Sequence, residues 1–117
     1  MNRPPIIVEY TDDFKRDVKR LHKKYRKVRD DVEAFIYGLE SGETPGSQIQ
    51  GVGYSVYKAR LKSSDLRRGK SGGFRVIYYI KTAEQLILLT IYVKTQKEDI
   101  SIEQIRRIIK AHEKPSD

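Results

Sequence analysis

The chain has 117 residues, of which 38% are hydrophobic, so residues 1–117 are predicted to form one domain with a modest core. It contains no cysteine, which excludes disulfide bonds and thiolate metal sites. Lysine and arginine number 24 against 16 acidic residues, and the resulting net charge of +8 is typical of proteins that bind nucleic acid.

The first half of the chain is predicted to form a short strand and two helices. The strand begins near Ile6, because the β-rich run IIVEY follows a proline pair that cannot donate ladder hydrogen bonds. Thr11 is the expected N-cap of the first helix. The buried face of that helix is the set Phe14, Val18, Leu21 and Tyr25. The second helix ends at Ser41-Gly42, and its apolar stripe is Val28, Val32, Phe35, Ile36 and Leu39. We expect the two helices to form an antiparallel hairpin.

Three strands are predicted in the second half. Residues 42–54 precede them as a loop, because this segment is rich in glycine and has no hydrophobic periodicity. The strands span Val56–Lys62, Phe74–Ile80 and Leu86–Val93, with residues 81–85 as the turn between the last two. The third strand is apolar on both faces, which is typical of a central strand. Strict alternation places its side chains in two sets, namely Ile87, Leu89, Ile91 and Val93 against Leu86, Leu88 and Tyr92.

A last helix completes the predicted fold. Ser101 and Gln104 have the spacing of a capping box, and the apolar stripe that follows is Ile102, Ile105, Ile108 and Ile109. The element order is therefore βααβββα. It predicts a small α+β fold, with an antiparallel-rich sheet, the helical hairpin on one face and the C-terminal helix nearby.

Basic residues are concentrated between Tyr57 and Arg75. This segment contains seven lysines and arginines and a single acid, Asp65. Alternation along its first strand places Lys58, Arg60 and Lys62 on one face. Because like charges on neighbouring strands repel each other, the cluster favours a polyanionic partner, and RNA is the leading candidate.

Several other classes of protein are disfavoured. No apolar run approaches the length of a membrane-spanning helix, and the N-terminal sequence MNRPPIIVEY is too short and too polar for a secretion signal. We therefore expect a cytoplasmic protein with no membrane association. We expect no metal and no cofactor, because neither His22 nor His112 has a plausible metal-binding partner.

Three segments resemble one family of bacterial proteins. The string LRRGKSGGFRVIYYI, the preceding YKARLK and the following LLTIYVKTQKEDIS are similar to the middle and end of RelE-like toxins of toxin–antitoxin pairs, closest to the HigB branch. The resemblance extends over nearly the whole chain and implies the RelE/ParE fold. It also implies a ribosome-dependent endoribonuclease that cleaves mRNA in the ribosomal A site and inhibits translation.

The resemblance also implies four catalytic residues. Lys58 and Arg60 stand where the family has basic residues on the second strand, and Arg75 matches the arginine of the third. Lys97 corresponds to the basic residue after the fourth strand, with Lys94 as the alternative. A lysine crowded by like charges loses its proton more easily, which favours Lys58 as a general base. Arg75 is suited to clamping the scissile phosphate, and Lys97 to the same role or to that of the acid. Some family members use a tyrosine near the last helix and others use histidines in the site. Here residues 98–113 contain no tyrosine, and the only histidines are His22 and His112, so the general acid and base stay unassigned.

Six further residues are predicted to contact RNA. Arg67, Arg68 and Lys70 lie in a glycine-flanked loop suited to backbone contacts without sequence choice. The remaining three are Lys62, Tyr79 and Lys94. Tyr79 shares the face of Arg75 and is the aromatic residue best placed to stack on a base. The alternative for the lysines and arginines is an ordinary solvated surface, and for Tyr79 a place in the core.

Two other functions stay open at this stage. A ParE-like inhibitor of DNA gyrase would have the same fold without nucleolytic residues, and a non-catalytic RNA-binding module would account for the unassigned acid. Whichever function holds, the resemblance implies a cognate antitoxin, which is expected to present acidic residues to the basic surface. The ribosome carrying mRNA is the second expected partner.

Overall fold

The structure is a computed structural model and describes residues 4–65, 73–94 and 99–114. These residues form a five-stranded sheet with two helices against one face and one helix against the other. The elements are β1 (Ile7–Tyr10), α1 (Asp12–His22), α2 (Val28–Glu40), β2 (Ser47–Gln48), β3 (Val56–Leu61), β4 (Phe74–Thr82), β5 (Gln85–Val93) and α3 (Ile102–Glu113). The predicted α+β fold is confirmed.

The strands are ordered β1-β5-β4-β3-β2 across the sheet. β1 runs parallel to β5, and the other neighbouring pairs are antiparallel. Strands β3, β4 and β5 form the meander predicted from the sequence. At one end of the sheet β3 and β5 finish and β4 begins, with Leu61 opposite Phe74 and Phe74 opposite Val93. We call this end the basic end of the sheet, because Arg60 and Arg75 lie there.

The start of α1 is fixed to the middle of the sheet. The Thr11 hydroxyl accepts a hydrogen bond from the Phe14 amide at 3.0 Å and donates one to the Leu89 carbonyl at 2.7 Å. Thr11 is therefore the N-cap predicted from the sequence, and it also joins the helix to β5. The predicted cap of α3 is confirmed as well, since Ser101 accepts a hydrogen bond from the Gln104 amide at 3.1 Å.

The two faces of the sheet bury separate apolar layers. The layer under α1 and α2 includes Phe14, Leu39, Phe74 and Tyr78. The layer under α3 includes Val56, Ile77, Leu89, Ile105 and Ile109. The last helix, which the sequence placed only near the sheet, thus covers the face opposite the helical hairpin.

Two boundaries in the second half differ from the prediction. The segment predicted as a loop from residue 42 to residue 54 contains β2, which pairs with β3 through Ser47 opposite Lys58. A two-residue strand has too little periodicity to detect in sequence. β4 also continues to Thr82 and β5 begins at Gln85, so the turn is shorter than the predicted residues 81–85.

The face assignment within β5 was partly wrong. Opposite β4, the register shifts between Ile77 and Tyr78, which pair with Thr90 and Leu88, so Leu89 is the extra residue of a β-bulge. Beyond the bulge the alternation is reversed. Ile91 and Val93 therefore lie in the layer under α1 and α2, whereas Tyr92 lies with Leu89 under α3. A period of two cannot anticipate an inserted residue.

Gly46 lies against the backbone of the strand that carries Lys58. Its φ is 93°, and a Cβ atom there would lie 2.2 Å from the Lys58 carbonyl oxygen. We expect Gly46→Ala to lower the free energy of unfolding by about 2 kcal/mol or more, because the clash adds to the left-handed backbone strain. Gly53 is the matched control, since its φ is 87° but nothing lies within 4 Å of the added Cβ. Urea unfolding of both variants tests this, and equal losses would contradict it.

Candidate nucleic-acid interface

β3 presents two basic side chains on the face covered by α3. Ala59 and Leu61 are buried in the layer under α1 and α2, so the alternating residues Lys58 and Arg60 point to the opposite face. This confirms the predicted placement of Lys58 and Arg60 on one face. β3 ends at Leu61, so Lys62, which was predicted as the last residue of the strand, follows it. Lys58 is partly exposed, with 38% of its side-chain surface accessible, and Arg60 is exposed.

Two arginines lie directly opposite each other at the basic end of the sheet. Arg60 of β3 is paired in register with Arg75 of β4, and Arg75 is paired with Tyr92 of β5. Arg75 is half-buried, and its Nη1 donates to the Phe74 carbonyl at 3.3 Å. Like charges directly opposite each other on antiparallel strands are destabilising. The register brings two basic side chains together on the α3 face at this end of the sheet.

Lys58 contacts a carboxylate that sequence reasoning did not single out. Its Nζ lies 3.6 Å from Oδ1 of Asp99, in the segment that leads into α3. The same Asp99 oxygen accepts a hydrogen bond from the Ile100 amide at 3.0 Å. Lys58 was expected to act as a base because other cations surround it. The carboxylate of Asp99 offsets part of that positive charge. Sequence analysis did not single out Asp99, because Asp99 and Lys58 are far apart in the chain and no local motif marks their contact.

Tyr92 is influenced by the charges of both this carboxylate and Arg75. Burial raises the pKa of its phenol, the charge of Asp99 raises it further, and Arg75 acts in the opposite direction. The phenol therefore lies within electrostatic reach of both groups. Sequence analysis placed Tyr92 only among the apolar residues of the third strand.

Tyr79 shares the α3 face with Arg75, as predicted, but it is 9% exposed. Its ring packs edge-on against Tyr54, with 5.4 Å between the ring centroids. Burial raises the pKa of the Tyr79 phenol, and the charge of Glu113 and the neighbouring Tyr54 act in the same direction. These contacts favour a place in the core over base stacking.

Of the other residues predicted to contact RNA, some lie within the part of the chain that the structure describes and some lie outside it. Lys62 and Lys94 are exposed and follow the last residues of β3 and β5, which places both at the basic end of the sheet. The remaining predicted residues, namely Arg67, Arg68, Lys70 and Lys97, lie outside the residues that the structure describes.

The chain leaving β3 is fixed to the start of α2. The Ser64 amide donates to Oδ2 of Asp31 at 2.9 Å, and the Ser64 hydroxyl also bonds to this buried carboxylate. Asp65 accepts a hydrogen bond from the Lys27 amide at 2.9 Å. The single acid of the basic cluster therefore helps to hold the segment in place.

A second basic surface lies on the other side of the molecule. Lys15, Arg16, Lys19 and Arg20 are exposed on α1. Two of them pair with acids one helical turn away, since Arg16 lies 3.7 Å from Asp13 and Arg20 lies 2.8 Å from Asp17. We call these four residues the α1 basic surface. Because α1 covers the face opposite α3, this surface and the arginine pair lie on opposite sides of the sheet.

Within residues 4–65, 73–94 and 99–114, no cluster of His, Cys, Asp or Glu side chains is suited to holding a metal ion. In the same ranges, no helix has the length and apolar character needed to cross a membrane.

The fold is similar to that of a solved structure of the E. coli toxin RelE, a double arginine-to-alanine mutant in the free state. The TM-score is 0.55 at 17% sequence identity, and the match covers 90% of this chain and 99% of that chain. The family described as the RelE toxin of the RelE/RelB toxin–antitoxin system matches residues 14–114. The chain therefore belongs to the RelE toxin family, and it is the toxin of a toxin–antitoxin pair. Membership implies an antitoxin partner.

Proposed function

We propose that this toxin is a ribosome-dependent endoribonuclease that cleaves mRNA in the ribosomal A site. The observation that supports this most is the cross-strand arginine pair, Arg60 and Arg75, with Lys58 on the same face. Three cations on two adjacent strands form a rigid site for one phosphate group. A gyrase inhibitor would not require cations grouped at this spacing.

The chemistry needs no metal ion in this proposal. Cleavage of RNA requires removal of the 2′-hydroxyl proton, stabilisation of the charge on the pentavalent phosphorus, and a proton for the 5′-oxygen. Arg75 and Arg60 are suited to the second task, because guanidinium groups stay protonated and can form two hydrogen bonds with one phosphate. Lys97 and Lys94 would add positive charge beyond the end of β5.

Dependence on the ribosome follows from the small size of the site. A shallow site with few groups gains most when its substrate is already held in a reactive conformation. The α1 basic surface gives the protein a second place to contact RNA backbone while the arginine pair contacts the message. Lys62, Arg67, Arg68 and Lys70 would contribute further contacts of this kind.

Primer extension on mRNA from cells that express the toxin alone tests the proposal, because it reports cleavage and its position together. We expect cuts inside translated regions. With purified components, ribosome-bound message should be cut while naked RNA of the same sequence stays intact. Degradation of naked RNA at an equal rate would contradict ribosome dependence. Intact message together with DNA breaks would instead support the gyrase target.

The antitoxin should cover the basic end of the sheet. We propose that it does so with acidic side chains, because the exposed Arg60, Lys62 and Lys94 give this surface a strong positive charge. Such a cover would block the phosphate site directly.

A further inference from the structure

Asp99 is a carboxylate placed among the cations of the proposed site. Its Oδ1 lies 3.6 Å from Lys58 Nζ and is anchored by the Ile100 amide. The Asp99 side chain is 68% exposed, so an RNA ribose can approach it. Its charge also acts on the phenol of Tyr92, which is paired in register with Arg75.

We propose that Asp99 is the general base of the cleavage reaction and that Lys58 is its general acid. This assignment rests on the proposed ribonuclease function. It assigns residues to the roles of general acid and general base, which the family resemblance leaves unassigned. It also replaces the expectation that Lys58 acts as the base, because a neighbouring carboxylate favours the ammonium form of a lysine, which carries the proton that an acid needs.

The contact between Asp99 and Lys58 allows the proton gained by one side chain to replace the proton lost by the other. The proton of the 2′-hydroxyl moves to the Asp99 carboxylate as the 2′-oxygen bonds to phosphorus. The bond from phosphorus to the 5′-oxygen breaks, and this oxygen takes a proton from the Lys58 ammonium. The products are a cyclic 2′,3′-phosphate and a 5′-hydroxyl end. Asp99 then returns its proton to the Lys58 amine, which restores the resting pair.

A purely structural role for Asp99 would leave a different signature. An exposed ion pair contributes little to stability. Asparagine has nearly the same shape and can still accept the hydrogen bond from the Ile100 amide. Asp99→Asn therefore keeps the anchor of the segment, while it removes the ability to accept a proton and the negative charge that pairs with Lys58.

The test is single-turnover cleavage of ribosome-bound message. Asp99→Asn should lower the rate about a hundredfold or more, with unchanged melting and ribosome association. Asp99→Ser, which can also accept the Ile100 hydrogen bond, should behave in the same way. The control is Glu103→Gln, which removes an exposed negative charge from the first turn of α3 and should leave the rate unchanged.

The outcomes separate the assignment from the function on which it rests. Parent-like cleavage by Asp99→Asn would overturn the assignment. If the parent itself leaves ribosome-bound message intact, the proposed function fails and the assignment fails with it. A product lacking the 5′-hydroxyl end would overturn the proton balance while leaving the ribonuclease function standing.

Discussion

Arg75→Ala is expected to slow cleavage of ribosome-bound message by about two to three orders of magnitude, while association with the ribosome persists. The alanine removes a cation from a regular strand that holds it opposite Arg60, where it can stabilise charge developing on the scissile phosphate. Single-turnover cleavage measures the first effect, and ribosome pelleting across a salt series measures the second.

Two further variants separate geometry from charge. Arg75→Lys keeps the positive charge and loses the planar pair of donors, so it should recover only part of the rate. Replacing Arg67 and Arg68 together should instead weaken ribosome association and reduce its salt dependence, because these residues are predicted to contact RNA backbone. If Arg75→Ala cleaves message at the parent rate, the phosphate site has been placed on the wrong residues.

Leu89→Asp is expected to prevent folding. Leu89 is fully buried at the bulge of β5, in the layer under α3, and its carbonyl oxygen accepts the hydrogen bond of the Thr11 side chain. An unpaired carboxylate in this layer would carry a desolvation cost that approaches the total stability of a small protein. Circular dichroism and thermal unfolding would reveal the loss.

Leu89→Met is the matched control for this position. It conserves volume and apolar character, so its unfolding free energy should fall by less than about 1.5 kcal/mol. A cooperative, native-like transition in Leu89→Asp would show that β5 is not buried on both faces.

The sequence predicted those features that depend on a regular period or a local cap. Strict alternation in β3 placed Lys58 and Arg60 together on one face, and Thr11 was correctly identified as a cap. These inferences succeed because each depends on residues a few positions apart. The pairing of Arg60 with Arg75 needed one additional step, namely that β3 and β4 are neighbours.

Features set by long-range geometry could not be predicted in this way. The bulge at Leu89 depends on how β5 fits β4, and nothing in its uniformly apolar sequence marks the extra residue. The contact of Asp99 with Lys58 depends on the path of the chain between β5 and α3. The two residues of β2 form a strand through their pairing with β3. In each case the cause is a distant partner.

The parallel pairing of β1 with β5 has a consequence for when the toxin becomes active. Ile7 is paired with Gln85, and Tyr10 with Leu88. β1 can therefore pair with β5 only after nearly the whole chain has been synthesised. Pairings of such high sequence separation form late, because the loop entropy must be overcome before the contacts form. When the helical hairpin has been synthesised, β5 has still to follow, because it comes later in the chain. A nascent chain that lacks β5 therefore has an incomplete sheet, and we expect the proposed phosphate site on β3 and β4 to form only once β5 is in place.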